Sequence, residues 1–225
     1  MSEPVPYNPL DKANLGKSVA DALLQQPKAP LRELKSFDGV GIYAIYYIGT
    51  FEAYRLLTDI TTASEVDIPI YVGKADREGK RKGMVQSNAK SSKKLWKRLN
   101  EHAESINASV NLNLEDFWCR YLVVDDIWVS LGESLLIARF APLWNQLVEG
   151  FGNHDPGSGR HEGARSRWDV LHPGRKWAEK LKPRPESPEQ IINDINIHLR
   201  SSAVIQKLAA GRFPFNPGDI SIEQP

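Results

Sequence analysis

The sequence predicts an α+β protein, because short strand-like stretches are separated by longer stretches with helical periodicity. Residues 41–45, 68–74 and 117–124 are rich in β-branched and aromatic residues, which favour strands. Residues 91–106 and 125–140 repeat apolar side chains at the spacing of an amphipathic helix. The chain of 225 residues is long enough to bury one hydrophobic core.

Residues 1–38 are predicted to form an amino-terminal arm with one helix. Leu15, Val19 and Leu23 lie at helical spacing. Prolines further along the arm end this pattern, because proline disrupts the interior of a helix. The apolar side of the helix packs either on the core or on a second subunit, and the sequence favours neither.

Residues 39–148 form the predicted core, which contains two insertions. The insertion at 51–67 is long for a hairpin connection, and its threonine-rich end predicts a turn-rich loop. The insertion at 75–91 is polar and basic. Residues 149–225 form an extension, which begins with a flexible loop rich in glycine and proline over 150–163.

Three helix starts are predicted from residues that cap the amino end of a helix. The last of these helices begins with Ser187-Pro188-Glu189-Gln190, a capping box with proline in the first turn, and extends to about Leu208. The capping residues are, in chain order, Ser91 or Ser92, Asp125 or Asp126, and Ser187.

The composition excludes several classes of protein. No apolar run approaches the roughly 18 residues of a membrane span, and the amino terminus lacks a basic stretch followed by an apolar one. We therefore expect a cytoplasmic protein. The single cysteine, Cys119, lies in a strand-like stretch, so the sequence offers neither an internal disulfide nor a cysteine zinc cluster.

Two stretches concentrate positive charge, although the net charge of the whole chain is only +1. Residues 74–98 contain ten lysines and arginines against two acids, which is enough charge to contact phosphates. A solvated basic loop is the alternative. Residues 160–184 mix further cations with histidines and with Trp168 and Trp177; this pattern suits nucleic acid, or equally a surface segment anchored by the two tryptophans.

Arg98 and His102 lie four residues apart and are therefore neighbours on one helix. His102 is in line with Leu95, Leu99 and Ile106, so we expect it to be partly shielded from solvent. By these observations alone, a core histidine and a surface arginine are the more common interpretations.

Glu133 is the clearest physical indication of a functional site. Its neighbours along the helix are apolar, so its carboxylate lies on an apolar face. Burying an unpaired carboxylate costs several kcal/mol or forces it to bind a proton, so Glu133 requires a cation or a metal ion. The alternative is a structural pair with an arginine such as Arg98. The apolar neighbours are Val129, Leu136, Ile137 and Phe140.

Two strand-like stretches place a tyrosine in a glycine-containing tripeptide, Gly41-Ile42-Tyr43 and Tyr71-Val72-Gly73. Tyr47-Ile48-Gly49 also fits the second pattern, but only three residues separate it from the first tripeptide, too few for a strand to turn and pair. With these two tripeptides followed by Arg98, His102, Glu133 and Asn145, the sequence resembles the GIY-YIG nuclease superfamily over residues 40–146. Departures are the insertions before Tyr71 and after Lys74, and the valine within Tyr71-Val72-Gly73. The matching site positions are Tyr43, Tyr71, Lys74, Arg98, His102, Glu133 and Asn145.

The resemblance implies a small antiparallel sheet of about three strands flanked by helices. It also implies that Glu133 holds one divalent ion, Mg²⁺, and that Arg98 braces the scissile phosphate. Tyr43 is our choice to take a proton from the attacking water. His102 orients Tyr43, deprotonates it, or acts on water itself, and these alternatives stay open. Lys74 lies near Tyr43, while Tyr71 and Asn145 complete the pocket.

Within the superfamily the resemblance favours the Type II restriction endonucleases that cut CCGCGG-type palindromes. A palindrome cut on both strands implies a homodimer on double-stranded DNA, with the arm and the final helix as candidate dimer elements. Three alternatives are a structure-selective repair nuclease, a non-catalytic DNA-binding module, and a structural protein with an accidental motif. The expected DNA contacts are Lys80, Arg81, Lys82, Lys90, Lys93, Lys94, Arg160, Arg165 and Arg167.

Overall fold

The computed structural model describes residues 8, 10–64, 66–76, 92–157, 159, 161–202 and 205–206. Within these residues the fold is α+β, as predicted: a four-stranded antiparallel sheet in the order β1-β4-β2-β3, flanked by helices. The strands are β1 (Ala29–Pro30), β2 (Gly41–Tyr47), β3 (Tyr71–Ala75) and β4 (Phe117–Val123). The strand beyond the three expected is β1, which has only two residues.

Seven α-helices lie among the described residues. None of them is long and apolar enough to span a bilayer. In chain order they are α1 (Lys12–Leu24), α2 (Arg55–Ser64), α3 (Lys94–Ala108), α4 (Asp126–Phe140), α5 (Leu143–Gln146), α6 (Arg167–Leu171) and α7 (Pro188–Ser201).

Strand β2 is buried along its whole length because helices cover both faces of the sheet. One face packs against α1 and α4, through residues such as Ile42 and Leu136. The other face packs against α3, α5, α6 and α7, through residues such as Ile45 and Trp144. Side chains alternate across a strand, so Tyr43 belongs to the second face.

Gly73 allows Tyr43 to lie close to the neighbouring strand. The two residues are paired across β2 and β3, and a Cβ atom at Gly73 would lie 2.4 Å from the Tyr43 hydroxyl. Real Cβ atoms do not approach other atoms so closely, so glycine is required there. The backbone of β3 therefore lies directly against the Tyr43 side chain.

The amino-terminal helix packs on the core of its own chain. Ala20 and Leu23 of α1 are buried with Val129 and Leu136 of α4. The α7 helix likewise buries one side against the opposite face of the sheet. The two predicted dimer elements, α1 and α7, therefore bury their apolar faces within the chain.

The insertion at 51–67 differs from the prediction, because it contains helix α2 and not a turn-rich loop. Threonine favours turns when its hydroxyl competes for backbone hydrogen bonds. Here the hydroxyls of Thr61 and Thr62 donate to carbonyls four residues earlier in the same helix, at 2.8 and 2.9 Å. Leu57 is buried and anchors α2 to the core. Tertiary packing thus overrides the weak local preference.

Of the predicted helix starts, Asp125 and Ser187 are confirmed. The side chain of Asp125 accepts from the backbone N–H of Ile127, and Ser187 forms the expected capping box. The expected cap of α3 by a serine is wrong: Lys93 occupies the cap position without a side-chain bond. The carbonyl of Gly39 instead accepts from the backbone N–H of Leu95 at 3.1 Å. The α7 helix ends at Ser201, earlier than expected, because the next residue is extended.

Candidate active site

A cavity of about 470 Å³ opens between β3, α3 and α4. Five of the seven residues predicted for the site line it: Tyr43, Tyr71, Lys74, Arg98 and Glu133. The remaining walls come from Ala75, Asp76, Lys94, Lys97, Glu101 and His154. Side chains that are separated by up to 111 positions in the sequence therefore meet at one opening.

Tyr43 and His102 form a hydrogen-bonded pair at the buried end of this cavity. The Tyr43 hydroxyl lies 2.6 Å from Nε2 of His102, and both side chains are almost completely buried. Burial raises the pKa of Tyr43 well above its ordinary value, although the charge of Arg98 opposes the change. Burial, with a smaller contribution from Arg98, lowers the pKa of His102 well below its ordinary value. Both groups are therefore neutral near pH 7.

Tyr71 lies against both members of this pair. Its ring centroid is 6.3 Å from that of Tyr43 and 5.2 Å from that of His102, and the contact with His102 is edge-on. Burial also raises the pKa of Tyr71. Tyr47 of the rejected tripeptide is absent from the cavity wall, and its hydroxyl accepts from the backbone N–H of Phe51 at 2.8 Å.

Glu133 is paired with Lys74 at the opposite wall. The Lys74 Nζ atom lies 2.9 Å from Oε2 of Glu133 and donates to the Ser130 hydroxyl at 3.3 Å. The Glu133 side chain is 19% exposed, so its carboxylate needs the cation that the sequence predicted. That cation comes from β3, and the alternative pair with Arg98 is not formed.

Arg98 is held by groups on two sides of its guanidinium. Its Nη2 donates to the carbonyl oxygen of Gly152 at 2.7 Å, and its Nη1 contacts Glu101 at 3.2 Å and also Nε2 of His154. Burial by itself lowers the pKa of Arg98, but the interactions with Tyr43 and Glu101 outweigh burial and raise it. Arg98 is therefore a permanent cation in the cavity wall.

A family model described as the Eco29kI GIY-YIG domain matches residues 35–199, more than half of the chain. The chain belongs to this family. The Eco29kI family is a Type II restriction endonuclease family of the GIY-YIG superfamily, and Eco29kI itself recognises CCGCGG. No curated protein matches the chain.

The GIY-YIG nucleases depend on a divalent metal ion, and Glu133 fits the role of its ligand. Its carboxylate lies in the cavity wall, where a cation, Lys74, already neutralises it. No group of three or more acidic, histidine or cysteine side chains suited to a metal occurs among the described residues. A hard ion such as Mg²⁺ often takes only one or two protein carboxylates, and completes its shell with water and phosphate oxygens.

Asn145, the last residue of the predicted set, lies on the edge of the sheet and not in the cavity wall. Its Oδ1 accepts from the backbone N–H of Val72, and its Nδ2 donates to the carbonyl of the same residue, each at 2.8 Å. Asn145 therefore pairs with β3 as another strand would. Asn145 thereby holds the part of β3 that carries Tyr71, one residue before Val72, and Lys74, two residues after it.

The predicted DNA contacts fall into four groups. Lys93 and Lys94 lie at the start of α3, and Lys94 lines the cavity. Arg165 donates to the carbonyls of Ala178 and Glu179, each at 3.1 Å. Arg167 is a correction: its side chain is buried and pairs with acidic residues of the chain, so it is not available to DNA. Lys80, Arg81, Lys82, Lys90 and Arg160 lie outside the described residues.

The aromatic part of the second basic stretch has a structural role. Trp168 and His172 are fully buried. Nε2 of His172 lies 2.5 Å from the Tyr54 hydroxyl. The oxygen of this hydroxyl accepts a hydrogen bond from Nε1 of Trp144 at 2.9 Å. For Trp168 the interpretation as an anchor is correct.

Glu101 and His154 belong to the cavity wall but were not predicted from the sequence. Glu101 lies three residues after Arg98 on α3, so helical spacing alone could have indicated it. His154 lies in a segment rich in glycine and proline, which was predicted as a flexible loop. Its contact with Arg98 joins residues 56 positions apart, and no local pattern indicates such a contact.

Proposed function

We propose that this protein is a Type II restriction endonuclease of a restriction-modification system. It hydrolyses phosphodiester bonds of double-stranded DNA at a short palindrome, with Mg²⁺ as the cofactor, and CCGCGG is the first sequence to test. The observation that carries the proposal is that one cavity joins the pair of Tyr43 and His102, the pair of Lys74 and Glu133, and the cation of Arg98.

Hydrolysis begins when the attacking water loses a proton, and Tyr43 is placed to receive it. The raised pKa of Tyr43 means that the resting residue is a neutral phenol and can accept only if it gives up its own proton. His102 lies 2.6 Å away and is neutral, so its Nε2 is the acceptor in the tautomer that leaves this nitrogen free. The proton thus moves from water to Tyr43 and from Tyr43 to His102.

The phosphate of bound DNA supports this transfer. Its negative charge lies near the pair and stabilises the protonated form of His102, which raises the pKa of the histidine at the time when it must accept. Arg98 neutralises charge that develops on the phosphate oxygens, and its planar guanidinium suits two such oxygens at once. Its contacts with Gly152 and Glu101 fix its orientation before DNA binds.

Glu133 would hold the divalent ion. When bound, this ion supplies Lewis-acid stabilisation of the charge on the phosphate and on the leaving oxygen. Lys74 neutralises the charge of Glu133 and orients its carboxylate in the free protein, through their contact at 2.9 Å. If Glu133 held the ion, the Lys74 ammonium would become available to a DNA phosphate.

The decisive experiment is digestion of a plasmid with one CCGCGG site in the presence of Mg²⁺, beside the same plasmid with one base of the site changed. We expect a single cut in the first plasmid and none in the second. Discrete fragments from both plasmids would refute CCGCGG but retain a sequence-specific nuclease. Cutting confined to branched or flapped DNA would support a repair nuclease instead.

Glu133→Ala separates cleavage from binding. We expect this variant to bind DNA in a gel-shift assay and to cut none. Glu52→Ala is the control, because Glu52 is 85% exposed and its nearest cation, on Arg55, is 3.9 Å away. Binding without cutting by the unmodified protein, under varied metal conditions, would favour a non-catalytic DNA-binding module.

A homodimer on the palindrome is part of the proposal, because each strand needs its own active site. The apolar faces of α1 and α7 are used within the chain, so a dimer would form through their outer faces. Ile197 of α7 is a large apolar residue that is 59% exposed. Sedimentation of the protein with and without a duplex that contains the cut site measures the stoichiometry; one protein molecule per duplex would refute the dimer.

A further inference from the structure

We propose that residues 150–154, held by Arg175, position Arg98 and His102 for catalysis. The inference rests on the proposed function, because phosphodiester cleavage is the reaction that these positions serve. It makes part of the carboxyl-terminal extension a support of the active site.

One guanidinium holds three carbonyl groups of this segment. Arg175 donates from Nη1 to the carbonyls of Phe151 and Asn153, at 3.0 and 3.3 Å, and from Nη2 to that of Gly150 at 2.9 Å. Its Nε donates to Oδ1 of Asp169 at 2.7 Å. Arginine presents its donors in a rigid plane, so these contacts fix the backbone of the segment in one arrangement.

The surroundings of Arg175 leave it little freedom. Arg175 and Asp169 are both almost completely buried, and Oδ2 of Asp169 accepts from the Ser166 hydroxyl at 2.7 Å. The guanidinium lies 4.4 Å from the ring centroid of Trp168 and 4.6 Å from that of Trp177. A buried ion pair with satisfied hydrogen bonds and aromatic contacts on its cation is well ordered.

The segment in turn contacts two residues of the active site. The carbonyl of Gly152 accepts from Nη2 of Arg98 at 2.7 Å. The ring of Phe151 stacks on His102, with centroids 4.4 Å apart and an interplanar angle of 18°, and meets Tyr71 edge-on at 5.0 Å. The phosphate-binding cation and the proton acceptor therefore share one support.

This support matters because a long arginine side chain has many rotamers. An Arg98 without the Gly152 carbonyl would have to be ordered when the phosphate arrives, and a misplacement of about 1 Å near the reacting atoms can lower a rate by about 100-fold. The fit at Gly152 is tight. A Cβ atom there would lie 2.8 Å from the Tyr71 hydroxyl and 3.0 Å from Nη2 of Arg98.

Arg175→Ala is a poor test, because it leaves Asp169 buried without its cation and so destabilises the fold. Gly152→Ala adds one methyl group at the contact itself. Gly159→Ala is the matched control, since nothing lies within 4 Å of a Cβ atom at Gly159. Both variants are compared with the wild type in single-turnover cleavage at saturating protein, in DNA affinity by gel shift, and in thermal melting.

We expect Gly152→Ala to lower the single-turnover rate by about 10-fold to 100-fold, with DNA affinity and melting temperature close to those of the control. Equal rates in the two variants would overturn the proposal. A rate loss matched by a loss of affinity or of melting temperature would overturn it as well, because a purely structural role predicts that result.

A measurement without DNA distinguishes failure of this inference from failure of the proposed function. The side-chain NMR signals of Arg98 and His102 report their environment in the free protein. We expect Gly152→Ala to shift both signals and Gly159→Ala to shift neither. If the wild type cuts no DNA, the proposed function fails, and unshifted signals in Gly152→Ala would then refute the positioning separately.

Discussion

The buried neutral histidines make stability depend on pH in a window that carboxylates do not reach. Burial lowers the pKa of His172 to about 3, and lowers that of His102 well below its ordinary value. In the unfolded chain both groups have a pKa of about 6.5. Below about pH 6.5 the unfolded chain therefore binds more protons than the folded chain, and the free energy of unfolding falls as the pH decreases.

Burial opposes protonation of His172, and its hydrogen bonds suit the neutral ring. The Nδ2 of Asn111 donates to the carbonyl of Leu171 at 2.9 Å, which leaves Oδ1 of Asn111 to accept from Nδ1 of His172, also at 2.9 Å. Nε2 of His172 then accepts from Tyr54. A second ring proton, on Nε2, would displace the proton that Tyr54 now donates and would place a charge in the buried interior.

The expected size of the effect follows from linkage. Each pH unit below the unfolded pKa costs about 1.4 kcal/mol for each histidine that stays neutral in the folded chain. Between about pH 7.5 and pH 5, each of the two histidines therefore removes about 2 kcal/mol of stability, about 4 kcal/mol together. The carboxyl groups of Asp21 and Asp67 have lowered pKa values, so their loss of stability begins only below about pH 5.

The assay is urea unfolding at several pH values in this window, for the wild type and for His172→Gln. The substitution lowers the stability at every pH. The quantity to compare is therefore the difference in the free energy of unfolding between about pH 7.5 and pH 5. We expect this difference to fall from about 4 to about 2 kcal/mol. A wild type whose stability is the same at both pH values would refute the neutral state that the proton transfer to His102 requires. A His172→Gln variant that keeps the full difference would refute the neutral state of His172.

Three further substitutions test the site. Tyr43→Phe should lower cleavage by about 100-fold or more, and should cost about 1–3 kcal/mol of stability because Nε2 of His102 loses its partner; wild-type cleavage would contradict the role of the phenol. Arg98→Ala should lower cleavage far more than the melting temperature; unfolding of this variant would indicate a structural role instead. Asn145→Asp keeps an acceptor for the N–H of Val72 but faces its carbonyl with a charge, so both stability and cleavage should fall; a loss of cleavage at unchanged melting temperature would place Asn145 in direct contact with DNA.

Local structure could be predicted where neighbouring residues decide it. The caps at Asp125 and Ser187 are correct because a side-chain oxygen satisfies backbone N–H groups a few residues away. The helix at 55–64 was not predicted, because distant residues and not neighbouring ones decide its structure. Its threonines favour a turn locally, and only burial of Leu57 against the rest of the core selects the helix.

The candidate site could be predicted as a set of residues but not as a set of contacts. The apolar face of α4 correctly indicated that Glu133 needs a cation, yet the cation came from Lys74 and not from Arg98. Strand β3 and helix α4 are far apart in the chain, so their pairing depends on how the sheet packs. Arg167 was misassigned to DNA because a sequence of cations does not reveal which of them find acids inside the protein.

The sequence by itself determined the α+β class, the two tyrosine tripeptides, and the glutamate on an apolar helix face, because periodicity and short spacings encode each of them. Only the tertiary structure decided that Tyr43 forms a hydrogen bond with His102, that Asn145 pairs with the edge of β3, and that residues 150–154 lie against Arg98. These contacts join residues more than 50 positions apart, and their energies depend on burial, which exists only once the chain has folded.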